Sequence, residues 1–156
     1  MGDHTESFQV DYDPEKITYE KLLEIFWSSH NPCAKAYSRQ YMSAIFYSDD
    51  EQKKAALESK EKLEKTSGKV QTLITELKEF TLAEDYHQKY MLRNNAKLMA
   101  ELKKLYPEDK DFVNSTAAAR VNAYLGGNGS AKQLEEELPS LGLSPAAAAE
   151  LKRHAK

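Results

Sequence analysis

A carboxylate, a group of tyrosines and one thiol are the side chains of this sequence best suited to chemistry. Glu6 lies in the stretch His4-Thr5-Glu6-Ser7-Phe8-Gln9-Val10-Asp11-Tyr12, where His4, Glu6, Phe8, Val10 and Tyr12 occupy alternate positions. Strict alternation is the pattern of a half-buried strand, because successive side chains point to opposite faces. Glu6 is therefore expected on the same face as Phe8, Val10 and Tyr12. A carboxyl group in such surroundings is desolvated, which favours its neutral form and makes it a proton donor near neutral pH. The alternative is a frayed strand end with Glu6 in water.

The second group is Tyr37, Tyr41 and Tyr47 in the segment running from Ser28 to Tyr47. Tyr41 shares parity with Ser43, Ile45 and Tyr47, so it is expected at the mouth of a strand. There a tyrosine can donate its hydroxyl to a bound polar group while its ring lines a pocket; otherwise these rings simply pack. Cys33 is the only cysteine. A nucleophilic role needs an activating base or helix N-terminus, and His30 is near enough in sequence to be a candidate neighbour. The other reading is a small buried hydrophobe. His30, His87 and Cys33 show none of the spacings of a zinc site.

The elements that must hold these groups follow from periodicity and punctuation. A first strand, His4 to Tyr12, is expected to end at Asp13-Pro14. Leu22, Ile25, Phe26 and Ser29 mark a helix from about Thr18 to Ser29, stopped by Asn31-Pro32. Tyr41 to Ser48 is rich in β-formers and reads as a buried strand. Asp49 and Gln52 open a charged helix to about Thr66, with Gly68 as its stop. Lys69 to Leu77 alternates as a third strand, and a helix is expected from near Glu84. This β-α-β-α-β-α order suits a parallel βαβ sheet or a split βαβ, ferredoxin-like arrangement. From about Asn95 the composition turns helical. One helix is expected before Pro107, a second from Asn114-Ser115 to the glycines at 126–127, and two short ones are capped by Ser130 and Ser144. The chain thus divides into residues 1–93 and a helical extension, 94–156.

The chain has 156 residues, 40% hydrophobic and 30% charged, with 22 Lys and Arg against 25 Asp and Glu. A net charge of −3 gives no electrostatic case for nucleic acid or an anionic membrane. No apolar run reaches the roughly 18–20 residues of a membrane span, and no secretory signal pattern opens the chain. One cysteine excludes an internal disulfide framework and makes a reducing, cytoplasmic compartment the expectation.

Three segments together resemble one family. Gly2 to Pro14, then Phe26 to Cys33 with Ser38 to Tyr47, then Leu82 to Tyr90 are similar to the peptide-methionine (S)-S-oxide reductases. The resemblance runs in order from Gly2 to about Arg93. It implies an α+β, ferredoxin-like fold and reduction of methionine S-sulfoxide, free or in proteins, by a cysteine thiolate. In that chemistry the thiolate attacks sulfur, a glutamate protonates the oxygen, and thioredoxin or another thiol restores the resulting sulfenic acid without a bound cofactor. Carried over by position, the acid is Glu6 of the G-x-H-x-E stretch, and the tyrosine that hydrogen-bonds the sulfoxide oxygen is Tyr41 of Q-Y-x-S-A. His4 and Asn31 are implied as substrate contacts.

The departures are equally specific. The family's nucleophile sits in a G-C-F-W motif upstream of the Glu-bearing stretch, and no such motif occurs in this sequence. The family's H-D-P-T stretch reads His30-Asn31-Pro32-Cys33, so Asn31 replaces a carboxylate and Cys33 is the sole surrogate thiol. The expectation is a truncated or weakly active member, short of one N-terminal strand and helix. The alternative is a non-catalytic relative that binds methionine sulfoxide, methionine or a partner.

Overall fold

A computed structural model describes residues 4–155; Gly2, in the first motif above, lies outside them. The chain forms two compact units, Met1–Phe80 and Thr81–Lys156. The mixture of helices with a parallel strand pair makes the protein α+β.

In the first unit, helix α1 spans Tyr19–Ser28, and the Thr18 side chain accepts from the Lys21 N–H at its N-terminus. The cap satisfies a donor that has no partner inside the helix. Strand β1, Ala44–Tyr47, connects through helix α2, Asp50–Ser67, to strand β2, Leu73–Glu76. The two strands pair in parallel with Ile45 opposite Ile74, as a helical crossover between neighbouring strands requires. At the start of α2, Asp49 Oδ1 accepts from the Gln52 N–H at 2.8 Å, and Gln52 Oε1 accepts from the Ser48 N–H at 3.0 Å. The reciprocal bond of the capping box therefore falls one residue earlier than the pattern implies. Gly68 ends the helix at φ 88°, a conformation glycine adopts without a Cβ clash. Leu23, Ile45 and Ala56 form the buried cluster, with Phe26 and Trp27 packed on it. Trp27 Nε1 donates to Ser59 Oγ at 3.0 Å and so ties α1 to α2.

The expected first strand is corrected. Residues 4–12 join no ladder, and Phe8 is 83% exposed. Alternation marks which side chains share a face, but a strand also needs a partner for its backbone groups. Among the described residues, what ties the segment's backbone to another part of the chain is the bond from the Glu6 N–H to the Gln40 carbonyl at 2.9 Å.

The second unit is helical. The helix expected from Glu84 appears instead as a 3₁₀ turn, Asp85–His87, and a short helix α3, Tyr90–Arg93. Lys89 separates them at φ 54°, in the left-handed region that breaks a right-handed helix. Helices α4 (Ala96–Leu105), α6 (Thr116–Leu125), α7 (Ala131–Glu137) and α8 (Pro145–Lys152) lie where their caps place them. The Asn95, Ser115, Ser130 and Ser144 side chains each accept from the third following N–H. Helix α5, Asp109–Asn114, was not expected; its six residues are too few to show a period. The core holds Leu92, Leu98, Leu102, Phe112, Val121 and Leu151, all fully buried. The Arg93 guanidinium and Lys103 ammonium lie 5.1 and 5.2 Å from the Phe112 ring centroid, and both pair with Asp109.

Candidate active site

The site is built on the loop that joins α1 to β1. Asn31-Pro32 stops α1 and turns the chain. The Asn31 side-chain Oδ1 accepts from the Cys33 N–H at 3.1 Å, and the Asn31 carbonyl accepts from the Ala34 N–H at 3.1 Å. This is an Asx turn, which asparagine forms by mimicking a backbone turn. The Gln71 N–H donates to the Pro32 carbonyl at 2.8 Å, which fastens the turn to the residues leading into β2.

Around this turn lies a cavity of about 240 Å³ lined by His30, Asn31, Tyr37, Tyr41, Ser43 and Gln71, with Lys35 at its wall. Its lining mixes tyrosine rings with imidazole, hydroxyl, amide and ammonium groups. Tyr41 lines it from a turn rather than from a strand: Arg39 to Met42 closes that turn, and β1 begins only at Ala44. The parity expected to place Tyr41 on the strand face does not reach it. Tyr41 is 62% exposed and Tyr37 97% exposed, so both hydroxyls are open to a ligand. Tyr47 lies on β1 with the Lys53 ammonium 5.6 Å from its ring centroid, outside the cavity lining.

Glu6 is brought to this loop by tertiary bonds, not by burial. Its N–H donates to the Gln40 carbonyl, Gln40 Nε2 donates to Glu6 Oε1 at 2.7 Å, and Thr5 Oγ1 donates to the Arg39 carbonyl at 3.2 Å. Glu6 is exposed. The apolar environment expected around its carboxyl is therefore corrected: without a sheet over it, the Phe8 and Val10 side chains face solvent too. His4 is exposed and does not line the cavity.

Cys33 is partly buried and also lies outside the cavity lining. Its Sγ donates to the Ser67 carbonyl at 3.3 Å, at the C-terminal end of α2. His30 is not its base. His30 Nδ1 lies 2.8 Å from the Phe26 carbonyl, an acceptor, so that nitrogen carries the proton. The ring packs on Phe26, centroids 4.7 Å apart. Its Nε2 is buried without a protein partner. His87 belongs to the 3₁₀ turn of the second unit, 3.9 Å from Glu84.

Gln40 and Gln71 are the residues that sequence reasoning missed. Gln40 adjoins Tyr41, but its bond to Glu6 spans 34 residues and has no local signature. Gln71 shows itself only once the parallel register of β1 and β2 is known. Among the described residues no group of three or more His, Cys, Asp and Glu is placed to hold a metal ion. Nor is any described helix long and apolar enough to cross a membrane.

Comparison with known proteins gives this site a context. A family model described as peptide methionine sulfoxide reductase matches residues 1–120, and one described as selenoprotein methionine sulfoxide reductase A, helical domain, matches residues 107–152. The peptide methionine sulfoxide reductase of Drosophila melanogaster is 40% identical over 148 residues, covering 93% of this chain and 59% of that protein. MsrA of Methanococcoides burtonii is 48% identical over 96 residues, which are 56% of this chain and 62% of that protein. Peptide methionine sulfoxide reductase A5 of Arabidopsis thaliana is 37% identical over 131 residues, 80% of this chain and 51% of that protein. The chain spans about half to three-fifths of the length of these curated relatives.

Proposed function

Because the chain belongs to the peptide methionine sulfoxide reductase family, we propose that the cavity beside Asn31 and Tyr41 receives methionine S-sulfoxide. In this reading Glu6 and Tyr41 serve the sulfoxide oxygen: Glu6 supplies a proton and Tyr41 a hydrogen bond. Asn31 makes a further contact to the substrate. His4 is carried as a substrate contact by the family resemblance alone, since it is exposed and outside the cavity lining. The observation that supports the reading is the attachment of Glu6 to Gln40, the sequence neighbour of the cavity-lining Tyr41, although Glu6 and Gln40 are themselves outside the cavity lining.

The reduction needs a thiolate. The thiolate attacks the sulfoxide sulfur, the oxygen takes the proton and passes to the cysteine sulfur, and methionine leaves, so that the cysteine becomes a sulfenic acid. A second thiol then forms a disulfide with release of water, and thioredoxin or another external thiol reduces that disulfide. Cys33 is the only cysteine of the 156 residues, and its hydrogen bond to the Ser67 carbonyl leaves it outside the cavity lining. The near-attack distance for such a step is about 3–3.5 Å. By itself this chain is therefore expected to turn over weakly or not at all, and catalysis depends on a thiol other than Cys33. A second reading, a non-catalytic sulfoxide-binding protein, is favoured by the same position of Cys33.

The ferredoxin-like, split βαβ sheet belongs to the proposal as well: a split unit has another strand between its two parallel ones, whereas β1 and β2 pair directly, so the split arrangement would have to involve strands other than this pair. So do a cytoplasmic location and the division into a reductase-like part, 1–93, and a helical extension, 94–156, the latter supported by the helical-domain match. The direct test titrates the chain with a peptide containing the S epimer of methionine sulfoxide. Saturable binding weakened by Tyr41→Phe supports the site, and absence of binding contradicts it.

A further inference from the structure

We propose that Asn31 acts as a hydrogen-bond donor in the cavity and selects for a ligand that presents an acceptor oxygen there. The inference rests on the reading of the cavity as a methionine sulfoxide site and specifies the polarity of one of its contacts. An asparagine amide has one acceptor oxygen and one donor NH₂, and hydrogen-bond partners decide which end faces a ligand. At Asn31 the choice is made by the turn. The Cys33 N–H is a donor and needs an acceptor, so Oδ1 must take it, and it does so at 3.1 Å. The Nδ2 group makes no hydrogen bond among the described residues, while Asn31 lines the cavity and is exposed. The group of Asn31 that stands without a partner among the described residues, and that a bound molecule would meet unengaged, is therefore the Nδ2 N–H donor, while Oδ1 is already held by the turn.

An aspartate at this position would form the same Asx turn through one oxygen and present its other oxygen, an acceptor, to the ligand. The two residues are nearly equal in size and opposite in hydrogen-bond polarity. Asn31 thus matches a sulfoxide oxygen or a peptide carbonyl and mismatches an N–H group. Both oxygens are uncharged acceptors, and the experiment separates them.

The test measures binding of N-acetyl-methionine-S-sulfoxide N-methylamide and of its unoxidised counterpart to the full chain by calorimetry, for the native protein and Asn31→Asp. The aspartate keeps the turn, so the melting temperature is expected to be unchanged. Sulfoxide affinity is expected to fall about 5–20-fold, the loss of one hydrogen bond plus repulsion between two acceptors. If the partner is the sulfoxide oxygen, only the sulfoxide ligand loses affinity; if it is a peptide carbonyl, both ligands lose it equally. Asn31→Ser vacates the Nδ2 position without adding charge and is the second variant, expected to weaken sulfoxide binding about 3–10-fold. Unchanged or tighter binding by both variants overturns the donor role and leaves the site reading standing. A native protein that binds neither ligand overturns both together.

Discussion

Gln40 and Glu6 hold each other twice: the Gln40 side-chain amide donates to Glu6 Oε1 at 2.7 Å, and the Glu6 N–H donates to the Gln40 carbonyl at 2.9 Å. This clamp fixes an acidic segment that no sheet anchors to the turn bearing Tyr41. Gln40→Ala removes the side-chain half and keeps the backbone half. The pair is exposed, so stability is expected to change by less than about 0.5 kcal/mol. Affinity for a methionine sulfoxide peptide is expected to fall about 2–5-fold as Glu6 loses its orientation. Calorimetry of both quantities on one preparation checks the separation.

Cys33 offers the sharpest contrast between packing and chemistry. In Cys33→Ser a hydroxyl can still donate to the Ser67 carbonyl. Sulfoxide affinity is expected to stay within about twofold of the native protein, because removal of a group outside the cavity costs no ligand contact. A large loss of affinity would place the thiol at the ligand.

Asp109 supplies a pH dependence for the second unit. The Lys103 hydrogen bond first, and the Arg93 hydrogen bond second, hold its carboxyl below the usual aspartate range. A depressed native value means that the carboxylate contributes stability above the unfolded value of about 3.9 and loses it as pH falls through the native one. Asp109→Asn should therefore lower the stability of the native protein at pH 7. The cost is held to about 1 kcal/mol by solvent screening of a carboxylate that is one-third exposed. The difference should begin to narrow below about pH 4 and close only once pH has fallen through the depressed native value. Chemical denaturation followed downward from pH 7 into that acid range reads both halves of this expectation.

Gly129 tests how the second core is closed. It sits at φ 91°, and a Cβ there would lie 2.6 Å from Cε1 of Tyr124. The Tyr124 hydroxyl donates to Glu137 at 2.8 Å, so the ring has little freedom to retreat. Gly129→Ala is expected to destabilise by about 3 kcal/mol, combining backbone strain with overpacking. Thermal melting measures it; a change under about 0.5 kcal/mol would contradict the packing described.

The two units should also differ in protection. The buried cluster of the first contains Leu23, Ile45 and Ala56, whereas that of the second contains twelve residues. A two-stranded sheet with one face partly open buries little apolar area and is marginal alone. Amides of β1 and β2 are expected to exchange at least about 100-fold faster than those of α4 and α6. Hydrogen exchange with mass analysis resolves the two sets.

The features legible in the sequence are those made by short-range hydrogen bonds. Asp49, Ser115, Ser130 and Ser144 all cap helices where their spacing places them, because cap and recipient N–H lie within three residues. The βαβ pair was legible from apolar strands flanking one charged helix. The first strand was not, since alternation from His4 to Tyr12 carries no information about a ladder partner. The clamp on Glu6 was hidden for the same reason: its partner is 34 residues away. Tyr41 stands just before β1, in the Arg39–Met42 turn, so strand parity does not set the direction of its ring. Helix α5 was invisible because six residues with one buried side chain have no period.

The central claim is that the cavity binds methionine S-sulfoxide while Cys33 does not carry its reduction. It is tested most directly by quantifying methionine formed from an S-sulfoxide peptide in the presence of thioredoxin and its reducing system, for the native chain and Cys33→Ser side by side. Product formation at or near the protein-free background, identical for the two proteins, is the expected result. Robust turnover by the native chain that disappears in Cys33→Ser would contradict it.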